Sequence, residues 1–226
     1  MEDVKFNYSG KNFIVVGASS GMGKQIALEL SQAGANVLCL ARRVEIMEEM
    51  KAEQGEGKII PAFIDVVSAT SKDWDAVIKN FVTEYGKISG GVYTAGIGGV
   101  TVFKNWSDDL AQRMMTISYW GMLKFFQSAV KKRFANDGSS YIGFSSTAAY
   151  APGQGQLIYA SSKSAVQTAI KVIAKEIGAN KHRINTISPG WIMDTGMSTE
   201  HANNYGIPQE VTNSFLMGEE IGRAHV

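Results

Sequence analysis

The stretch that decides the fold is residues 13–23, Phe13-Ile14-Val15-Val16-Gly17-Ala18-Ser19-Ser20-Gly21-Met22-Gly23. Four apolar residues predict a short buried strand over 13–16, and apolar residues at helical spacing predict a helix over 24–33. A glycine-rich loop between them lets the backbone approach a pyrophosphate, and the following helix N-terminus offers N–H donors. Gly-x3-Gly-x-Gly differs from the usual Gly-x-Gly-x2-Gly spacing, and tight turns also need glycine. The strand–loop–helix context therefore carries the prediction of a dinucleotide site.

The same alternation of short strands and longer helices continues along the chain. Further strands are predicted over 36–41, 58–65, 90–95, 140–145 and 183–188. Further helices are predicted over 44–54, 74–82, 107–135 and 157–177, with Gly178 as the stop of the last one. Alternating strands and helices indicate a parallel sheet covered on both faces, which is a Rossmann-type, doubly wound α/β fold in three layers. Because no linker or repeat divides the sequence, we expect a single domain over 1–226.

Composition narrows the function classes. The 226 residues contain 22 Lys and Arg against 21 Asp and Glu, so the net charge of +1 gives no electrostatic reason to expect nucleic acid or a membrane as partner. No apolar run reaches the ~18 residues of a membrane span, and the first ten residues lack the apolar core of a secretory signal. The single cysteine, Cys39, is expected to be a small buried residue. Three scattered histidines predict no metal site, and we expect a cytoplasmic protein.

Charged residues follow two of the predicted strands. Arg42 and Arg43 end the second strand, where dinucleotide folds bind the adenosine ribose with an acid for NAD or an arginine for the 2′-phosphate of NADP. Two arginines and no acid favour NADP(H) over NAD(H), unless the arginines merely begin an exposed helix. Asp65 closes the third strand, and its carboxylate is equally suited to binding the adenine amino group and to capping the next turn.

Tyr159 and Lys163 lie four residues apart in Tyr-Ala-Ser-Ser-Lys, so a helix places them on one face. A neighbouring ammonium favours the phenolate and lowers the pKa of a tyrosine, which can then exchange a proton with a substrate oxygen. On its own, such a pair would be interpreted as part of the helix structure and not as a catalytic pair. Ser146 ends the fifth strand 13 residues before Tyr159, and its hydroxyl is placed to bind a substrate carbonyl. No histidine and aspartate are placed to complete a hydrolase triad with this serine.

With these motifs, the sequence resembles the single-domain, NAD(P)-dependent short-chain dehydrogenases/reductases over nearly its whole length, and the 3-oxoacyl-carrier-protein reductases give the nearest generic description. The resemblance rests on the glycine loop, on Ser146 with Tyr159 and Lys163, and on Ile187-Ser188-Pro189-Gly190 after the sixth strand. It implies hydride transfer between a nicotinamide and a carbonyl or secondary alcohol. Tyr159 would be the general acid/base, Lys163 would bind the nicotinamide ribose and lower the tyrosine pKa, and Ser146 would orient the carbonyl.

The resemblance also implies a homodimer or homotetramer, packed through the helices near 107–135 and 157–178. It further implies cofactor contacts along the carboxyl edge of the sheet. These are Gly17, Ser19, Ser20, Gly21, Met22, Gly23, Arg42, Arg43, Asp65, Val66, Ala95, Gly96, Tyr159, Lys163, Pro189, Gly190, Ile192 and Thr195.

The sequence departs from the family pattern at two places in the expected site. The family's Asn-Asn-Ala-Gly after the fourth strand is here Tyr93-Thr94-Ala95-Gly96. The family's relay asparagine on the long helix is here Ser118, whose hydroxyl can hold a proton-relay water only with a different geometry. These two departures affect the expected proton relay more than the expected hydride transfer.

The expected substrate is a small carbonyl or alcohol compound, and its walls are mainly apolar. Their residues are Ile97, Ala148, Tyr150 and Trp191, with Gln154, Met193 and Met197 as further candidates. A mobile substrate loop is expected over about 195–215. Family members continue beyond Val226 through one more helix and a strand, so that helix and strand are expected to be missing here.

Two other functions remain compatible with the sequence. Thr94, Ser118 and the short C-terminus motivate an NADP(H)-binding sensor or scaffold with little catalysis. A methyltransferase is a weaker alternative, because methyltransferases also place glycines after their first strand.

Overall fold

The computed structural model describes residues 6–192, 195, 196 and 199. Within them, six strands form one parallel sheet in the order β3-β2-β1-β4-β5-β6. The strands are β1 (Asn12–Val16), β2 (Asn36–Ala41), β3 (Lys58–Phe63), β4 (Ile88–Tyr93), β5 (Ala135–Phe144) and β6 (Arg183–Ile187). The helices are α1 (Gly21–Gln32), α2 (Val44–Glu49), α3 (Ser71–Tyr85), α4 (Asp108–Met115), α5 (Gly121–Ala129) and α6 (Leu157–Ile177). The prediction of a doubly wound parallel fold is confirmed.

The strand order reverses at β1, which pairs with β2 on one side and with β4 on the other. In such sheets, ligands bind outside the carboxyl ends of the strands at this switch point, because the connections diverge there and leave a crevice. The loops that follow β1 and β4 begin side by side, since Thr94 N donates to Val16 O at 2.9 Å. The fold therefore brings Gly17–Gly23 next to Ala95 and Gly96.

One face of the sheet is covered by α3, α5 and α6 around an aromatic core. Trp74 of α3 and Phe125 of α5 are fully buried, with ring centroids 5.5 Å apart. Tyr141 of β5 is also fully buried, and its hydroxyl donates to Ala129 O at 3.0 Å. Large aromatic side chains dominate the energetics of such a core. This packing fixes α6, which carries Tyr159 and Lys163, against β5 and β6.

The opposite face is covered by α1 and α2, which pack over β1, β2 and β3. Cys39 lies in this second core with no exposed surface, and burial raises the pKa of its thiol to about 12, so it is a small buried residue as expected. Among the described residues, β4, β5 and β6 contribute nothing to this core. Ile142, Phe144 and Ile187 instead line an open groove beside α1.

The prediction of one helix over 107–135 is wrong in its continuity and in its end. The structure has α4, a π-helical turn over Thr116–Trp120, and then α5, which ends at Ala129. The predicted start is confirmed, because Ser107 caps α4 and its hydroxyl accepts from Leu110 N at 3.2 Å. The next strand begins at Ala135 instead of Ser140.

The helix stops early because charged and backbone contacts turn the chain after Ala129. The Lys131 ammonium binds the Asp75 carboxylate of α3 at 2.6 Å, and Phe134 N donates to Lys131 O at 2.7 Å. Phe134 then enters the core from the turn and Ala135 from the start of β5, and neither belongs to a helix. The apolar pattern that suggested a longer helix is thus produced by two different elements.

Smaller differences concern element ends. The third and fourth strands end at Phe63 and Tyr93, two residues before the predicted ends, and α2 continues as a 3-10 turn to Glu53. Gly178 ends α6 as predicted. Met193, Met197 and most of the predicted substrate loop lie outside the described residues, as does the C-terminus. In the part of the chain that the structure describes, no helix combines the length and hydropathy needed to cross a bilayer.

Candidate active site

The loop between β1 and α1 is built from close backbone contacts. Gly17 has φ +87°, and a Cβ there would lie 2.6 Å from Thr94 Oγ1 and 2.8 Å from Ala95 N. A Cβ on Gly23 would collide with Gly17 O and with the same threonine hydroxyl. Gly21 has φ +52°, which also favours glycine. The three glycines of the motif are therefore required by the local shape.

The N-terminus of α1 follows this loop with no internal partner for its first N–H groups. Ser20 occupies the N-cap position but makes no capping hydrogen bond with its side chain, and the first turn contains no acidic residue. The first N–H groups of a 12-residue helix and its positive dipole end suit an anion such as a phosphate. Met22, in the first turn, is half-buried and lines the groove.

The end of β2 reaches the glycine loop through Arg43. Its Nη2 donates to Ser19 Oγ at 3.1 Å, and Ser19 is largely buried. Arg43 also occupies the N-cap position of α2, so it begins that helix while its guanidinium lies on the loop. Arg42 beside it is exposed. Two cationic side chains therefore stand at the place where the sequence predicts a 2′-phosphate.

Asp65, after β3, caps a turn. Its Oδ1 accepts from Val67 N at 3.1 Å, which matches the capping alternative for this residue. The side chain is half-buried, and Val66 packs against the main core. The structure does not bring the Asp65 carboxylate into hydrogen bonds with the other predicted site residues that it describes.

Ser146 and Tyr159 meet at the carboxyl end of β5. Ser146 caps the 3-10 turn Thr147–Ala149, and its Oγ accepts from Ala148 N at 3.2 Å. Its side chain lies close enough to the Tyr159 phenol to influence the pKa of that tyrosine. Burial is the larger influence and raises the pKa of Tyr159 above its ordinary 10, while the Ser146 hydrogen bond lowers it. The expected lowering of this pKa is therefore wrong for this structure, and the phenol is protonated at neutral pH.

Lys163 lies one helical turn beyond Tyr159 and is only 5% exposed. Its Nζ donates to Phe144 O at 3.0 Å and stands 5.8 Å from the centre of the Tyr159 ring. Burial lowers the pKa of Lys163 from 10.5 to about 8. A buried ammonium with few partners is unfavourable for folding, and such groups cluster at functional sites.

Gly96 and Ser118 complete the same region from two other elements. The position that a Gly96 Cβ would take lies 3.4 Å from Lys163 Nζ and 3.9 Å from Ser118 Oγ. Both polar atoms therefore border the small space above Gly96. Ser118, in the π turn, is 2% exposed, and its hydroxyl has no hydrogen-bond partner among the described residues. Ala95 is half-buried next to the glycine loop.

The chain after β6 closes the site from the other side. Thr147 N donates to Pro189 O at 2.9 Å, which ties this segment to the Ser146 turn. Thr195 comes within 3.6 Å of the position of a Gly21 Cβ. Pro189, Gly190, Ile192 and Thr195 line a groove of about 1460 Å³ together with Gly21 and Met22. The groove runs from the carboxyl edge of the sheet along the open face of β4–β6.

The predicted substrate walls differ in exposure. Ile97 and Trp191 are half-buried, Ala148 is 7% exposed, and Tyr150 is 72% exposed. The loops after β4 and β5 are joined where Thr101 N donates to Gly155 O at 2.8 Å. Gln154 is exposed in the second of these loops.

Sequence reasoning missed the contacts that hold the site in place. Thr94 was noted only as a departure, but its Oγ1 donates to Val16 O at 2.8 Å and joins the ends of β1 and β4. Ser145 donates to Lys163 O at 2.9 Å and anchors α6 to β5. Tyr93 donates to Ile117 O in the π turn. A short hydroxyl residue after a strand gives no sequence signal that tells such an anchor from an ordinary turn.

These residues fit a nicotinamide dinucleotide. Three glycines whose Cβ atoms would collide or be strained form a cradle before a helix N-terminus, and a buried lysine and an unpartnered serine hydroxyl lie beyond it. On the opposite side, a Cβ at Gly190 would meet no atom of the described residues within 4 Å. Within the described residues, no group of three or more His, Cys, Asp or Glu side chains is arranged to hold a metal ion.

The fold and this site define a Rossmann-type α/β protein with a dinucleotide cradle. The family model for the short chain dehydrogenases matches residues 11–206, and the chain belongs to this family of oxidoreductases. The expectation from the sequence motifs is confirmed at the level of the family.

Known proteins of this family resemble the chain at moderate identity. An 11-beta-hydroxysteroid dehydrogenase-like protein of Arabidopsis thaliana is 27% identical over 96% of this chain and 68% of its own length. The 3-oxoacyl-[acyl-carrier-protein] reductase FabG of Thermotoga maritima is 26% identical over 94% of this chain and 96% of its own. The chain spans 53% of the length of the 11-beta-hydroxysteroid dehydrogenase 1A of A. thaliana.

Solved structures show the same fold. A short-chain dehydrogenase/reductase of Brucella melitensis, a glucose/ribitol dehydrogenase, superposes with a TM-score of 0.79 at 25% identity, covering 88% of this chain and 79% of that one. An actinorhodin polyketide ketoreductase solved with NADPH superposes with a TM-score of 0.81 at 21% identity, covering 94% and 85%.

Proposed function

We propose that this protein is an NADP(H)-dependent oxidoreductase that interconverts a ketone or aldehyde with the corresponding alcohol. One observation carries the proposal. Ser146, Tyr159 and Lys163 lie together at the carboxyl end of the sheet, near the switch point and the glycine loop. Membership of an oxidoreductase family supports the reaction type. The specific substrate is not assigned, but the half-buried apolar walls favour a neutral carbonyl compound over an anionic one.

Tyr159 is the proposed acid in the direction of carbonyl reduction. The nicotinamide, when bound, supplies the hydride that adds to the carbonyl carbon. The phenol, kept protonated by burial, donates its proton to the carbonyl oxygen, so a hydride and a proton together give the alcohol. Ser146 donates a hydrogen bond to the same oxygen and orients it. The reverse reaction uses the same groups, with the phenolate accepting the proton.

Lys163 is proposed to act on both the dinucleotide and the tyrosine. Its ammonium already donates to Phe144 O and borders the space above Gly96, which leaves donors for a ribose hydroxyl. Ser118 is proposed to hold the proton path behind Lys163. Its buried hydroxyl, which has no partner among the described residues, is suited to bind a water there.

The preference for NADP(H) over NAD(H) is proposed from the arginines after β2. Arg43 Nη2 donates to Ser19 Oγ at 3.1 Å, and the neighbouring Arg42 is exposed. Both side chains can therefore reach a 2′-phosphate at the loop. The remaining proposed cofactor contacts are those of the glycine loop and of Val66, Ala95, Gly96, Pro189, Gly190, Ile192 and Thr195. Asp65 is proposed only as a support of this region, because its carboxylate caps a turn.

A thermal-shift comparison tests the cofactor, followed by NADPH oxidation over a panel of ketones. We expect NADPH to raise the melting temperature more than NADH and S-adenosylmethionine to leave it unchanged. Tyr159→Phe should keep NADPH binding but lose about 10²–10⁴-fold in turnover. Tyr141→Phe, which removes a buried hydroxyl far from the site, is the control. A Tyr159→Phe variant with full turnover would overturn the assignment of the acid.

The same comparison separates the alternatives. NADPH binding without turnover on any ketone would favour the sensor or scaffold, and stabilisation by S-adenosylmethionine alone would favour a methyltransferase.

We also propose a cytoplasmic homo-oligomer. Trp120 after α4 and Leu157 and Val172 on α6 are 48%, 45% and 50% exposed, which suits apolar contact between copies. Light scattering on the purified protein measures the oligomeric state.

A further inference from the structure

The helix that carries Ser118 is interrupted at the site. Thr116–Trp120 form a π turn, in which Gly121 N donates to Thr116 O five residues earlier. Such turns are rare, occur often at functional sites, and need support because they break the regular ladder of the helix. Here the support comes from outside the helix. The hydroxyl of Tyr93, at the end of β4, donates to Ile117 O at 2.5 Å.

Tyr93 and the helix are closely fitted to each other. Tyr93 is 2% exposed, and a Cβ on Gly121 would lie 2.5 Å from its hydroxyl oxygen. Gly121 is itself buried, so no larger residue fits between the π turn and the tyrosine. The hydroxyl therefore reaches the backbone carbonyl only because a glycine faces it.

The residue next to Ile117 is Ser118, whose hydroxyl borders the space above Gly96 that Lys163 Nζ also borders. The direction of this side chain is set by the backbone of the π turn. If the π turn relaxed to a regular α-helix, the turn would hold one residue fewer, and the side chains around it would rotate by about 100° about the helix axis. This would move the Ser118 hydroxyl away from the space above Gly96.

We propose that Tyr93 is a positioning residue of the active site, whose hydroxyl holds the π turn so that the Ser118 hydroxyl borders the space above Gly96 together with Lys163 Nζ. The assignment rests on the proposed function, because it takes Ser118 to serve the reaction. The hydrogen bond by which Tyr93 supports the π turn does not depend on that function. Nothing in the departure from the family's Asn-Asn-Ala-Gly pattern reveals this role, because only the fold brings β4 under the π turn.

The alternative is that Tyr93 only stabilises the core, and the chain offers a matched control. Tyr141 is likewise fully buried on β5, and its hydroxyl donates to Ala129 O, at the far end of the same helical segment. Tyr93→Phe and Tyr141→Phe each delete one buried hydroxyl that binds one helix carbonyl. Only the first deletion touches the π turn.

The first test is hydrogen exchange of the unliganded protein. We expect Tyr93→Phe to speed amide exchange over 116–121 by about tenfold or more, while Tyr141→Phe leaves this segment unchanged and affects the end of α5. Equal exchange over 116–121 in both variants would overturn the proposal. This measurement needs no substrate and no turnover, so it stands even if the proposed reaction fails.

The second test is a double-mutant cycle on turnover, normalised to bound NADPH. Tyr93→Phe should lower kcat by about tenfold with little change in KM for the ketone, because it misplaces a group without touching either ligand. If Tyr93 acts through Ser118, the Tyr93→Phe/Ser118→Ala double variant should be no slower than Ser118→Ala alone. Additive effects would show an independent structural role and overturn the positioning role. A wild-type protein that binds NADPH but turns over no ketone would instead count against the proposed function.

Discussion

The glycine loop and the Ser146–Tyr159–Lys163 cluster are the two parts of the candidate site, and they are built in different ways. The loop is made of backbone in contact with backbone, so that a Cβ on Gly17 or Gly23 has no room. The cluster is made of side chains on two elements, the turn after β5 and helix α6, and each of these side chains can be shortened without a collision. We therefore expect changes in the loop to damage shape and binding together. Changes in the cluster should damage chemistry while leaving the fold intact.

The largest effect on turnover is expected for Lys163→Met, a change in the cluster. Removing the buried ammonium should lower NADPH-dependent turnover by about 10²-fold or more. The unliganded variant should be as stable as the wild type at pH 7 or more stable, because a nearly isosteric apolar chain avoids the burial of a charge that is only 5% exposed. Activity and urea unfolding measure the two effects. A strongly destabilised variant that keeps its turnover would contradict the expectation that changes in the cluster affect the chemistry and not the fold.

The pH dependence of stability tests the same lysine. The pKa of Lys163 is about 8 in the folded state and 10.5 ordinarily, so between these values the unfolded chain binds more protons than the folded one. The free energy of unfolding should therefore rise from pH 8 to pH 10.5, by up to about 3 kcal/mol for a fully buried group. Lys163→Met serves as the baseline and should lack this rise. Parallel pH curves for the two proteins would contradict the lowered pKa.

The next effect concerns Gly23→Ala in the loop. The added Cβ meets Gly17 O, a rigid backbone atom, so we expect a loss of about 1–3 kcal/mol in stability together with weaker NADPH binding. Gly178→Ala is the matched control, since its Cβ position has no atom within 4 Å and its φ is −61°. This control should gain up to about 1 kcal/mol. A Gly23→Ala protein with unchanged cofactor affinity would show that the loop is looser than its contacts indicate.

A smaller effect is expected where a side chain assists the loop. Arg43→Ala should weaken NADPH binding by about tenfold, the value of one hydrogen bond to a charged group, and leave NADH binding unchanged. Arg133→Ala, which removes another exposed arginine bonded to Asp75, is the control and should change neither affinity. Fluorescence titration with both cofactors gives the ratio. Equal weakening toward NADPH and NADH would argue against a 2′-phosphate contact.

The smallest effect lies outside both regions. His182 is 4% exposed, and burial lowers its pKa below 6.5, while Asp137 opposes this shift. As the pH falls through 6.5, the unfolded chain takes up a proton that the folded one resists, so the wild type should lose stability. His182→Gln should flatten this part of the curve in urea unfolding and leave NADPH affinity unchanged. An identical curve for the variant would contradict the assignment.

The sequence predicted the order of strands and helices well, because alternating apolar runs record which residues face a buried sheet. It failed between Ala129 and Ala135, where the predicted helix was continued across Lys131-Lys132-Arg133 although α5 ends before these residues and β5 begins after them. The turn there depends on Asp75, which is distant in the sequence and binds Lys131 and Arg133. A local pattern contains no information about such a distant partner.

For the candidate site, the sequence predicted the residue types and the structure supplied their environment. The Gly-x3-Gly-x-Gly loop and the Tyr159–Lys163 spacing are short-range features, which the chain carries wherever it folds as a strand, loop and helix. The pKa of Tyr159 was expected to be lowered by the Lys163 ammonium, but it is raised because burial is the largest influence on it, and burial is known only after packing.

The sequence by itself thus determined a parallel α/β fold, a glycine cradle after β1, and the identity of the polar residues at the carboxyl edge. Three features became known only from the folded structure: Tyr93 reaches Ile117 across 24 positions, Ser118 and Lys163 border the same space above Gly96, and Thr94 joins β1 to β4. The physical reason is the range of the forces involved. Periodicity and glycine conformation act over a few residues, whereas burial, close approach and hydrogen bonds between elements exist only once the sheet has assembled.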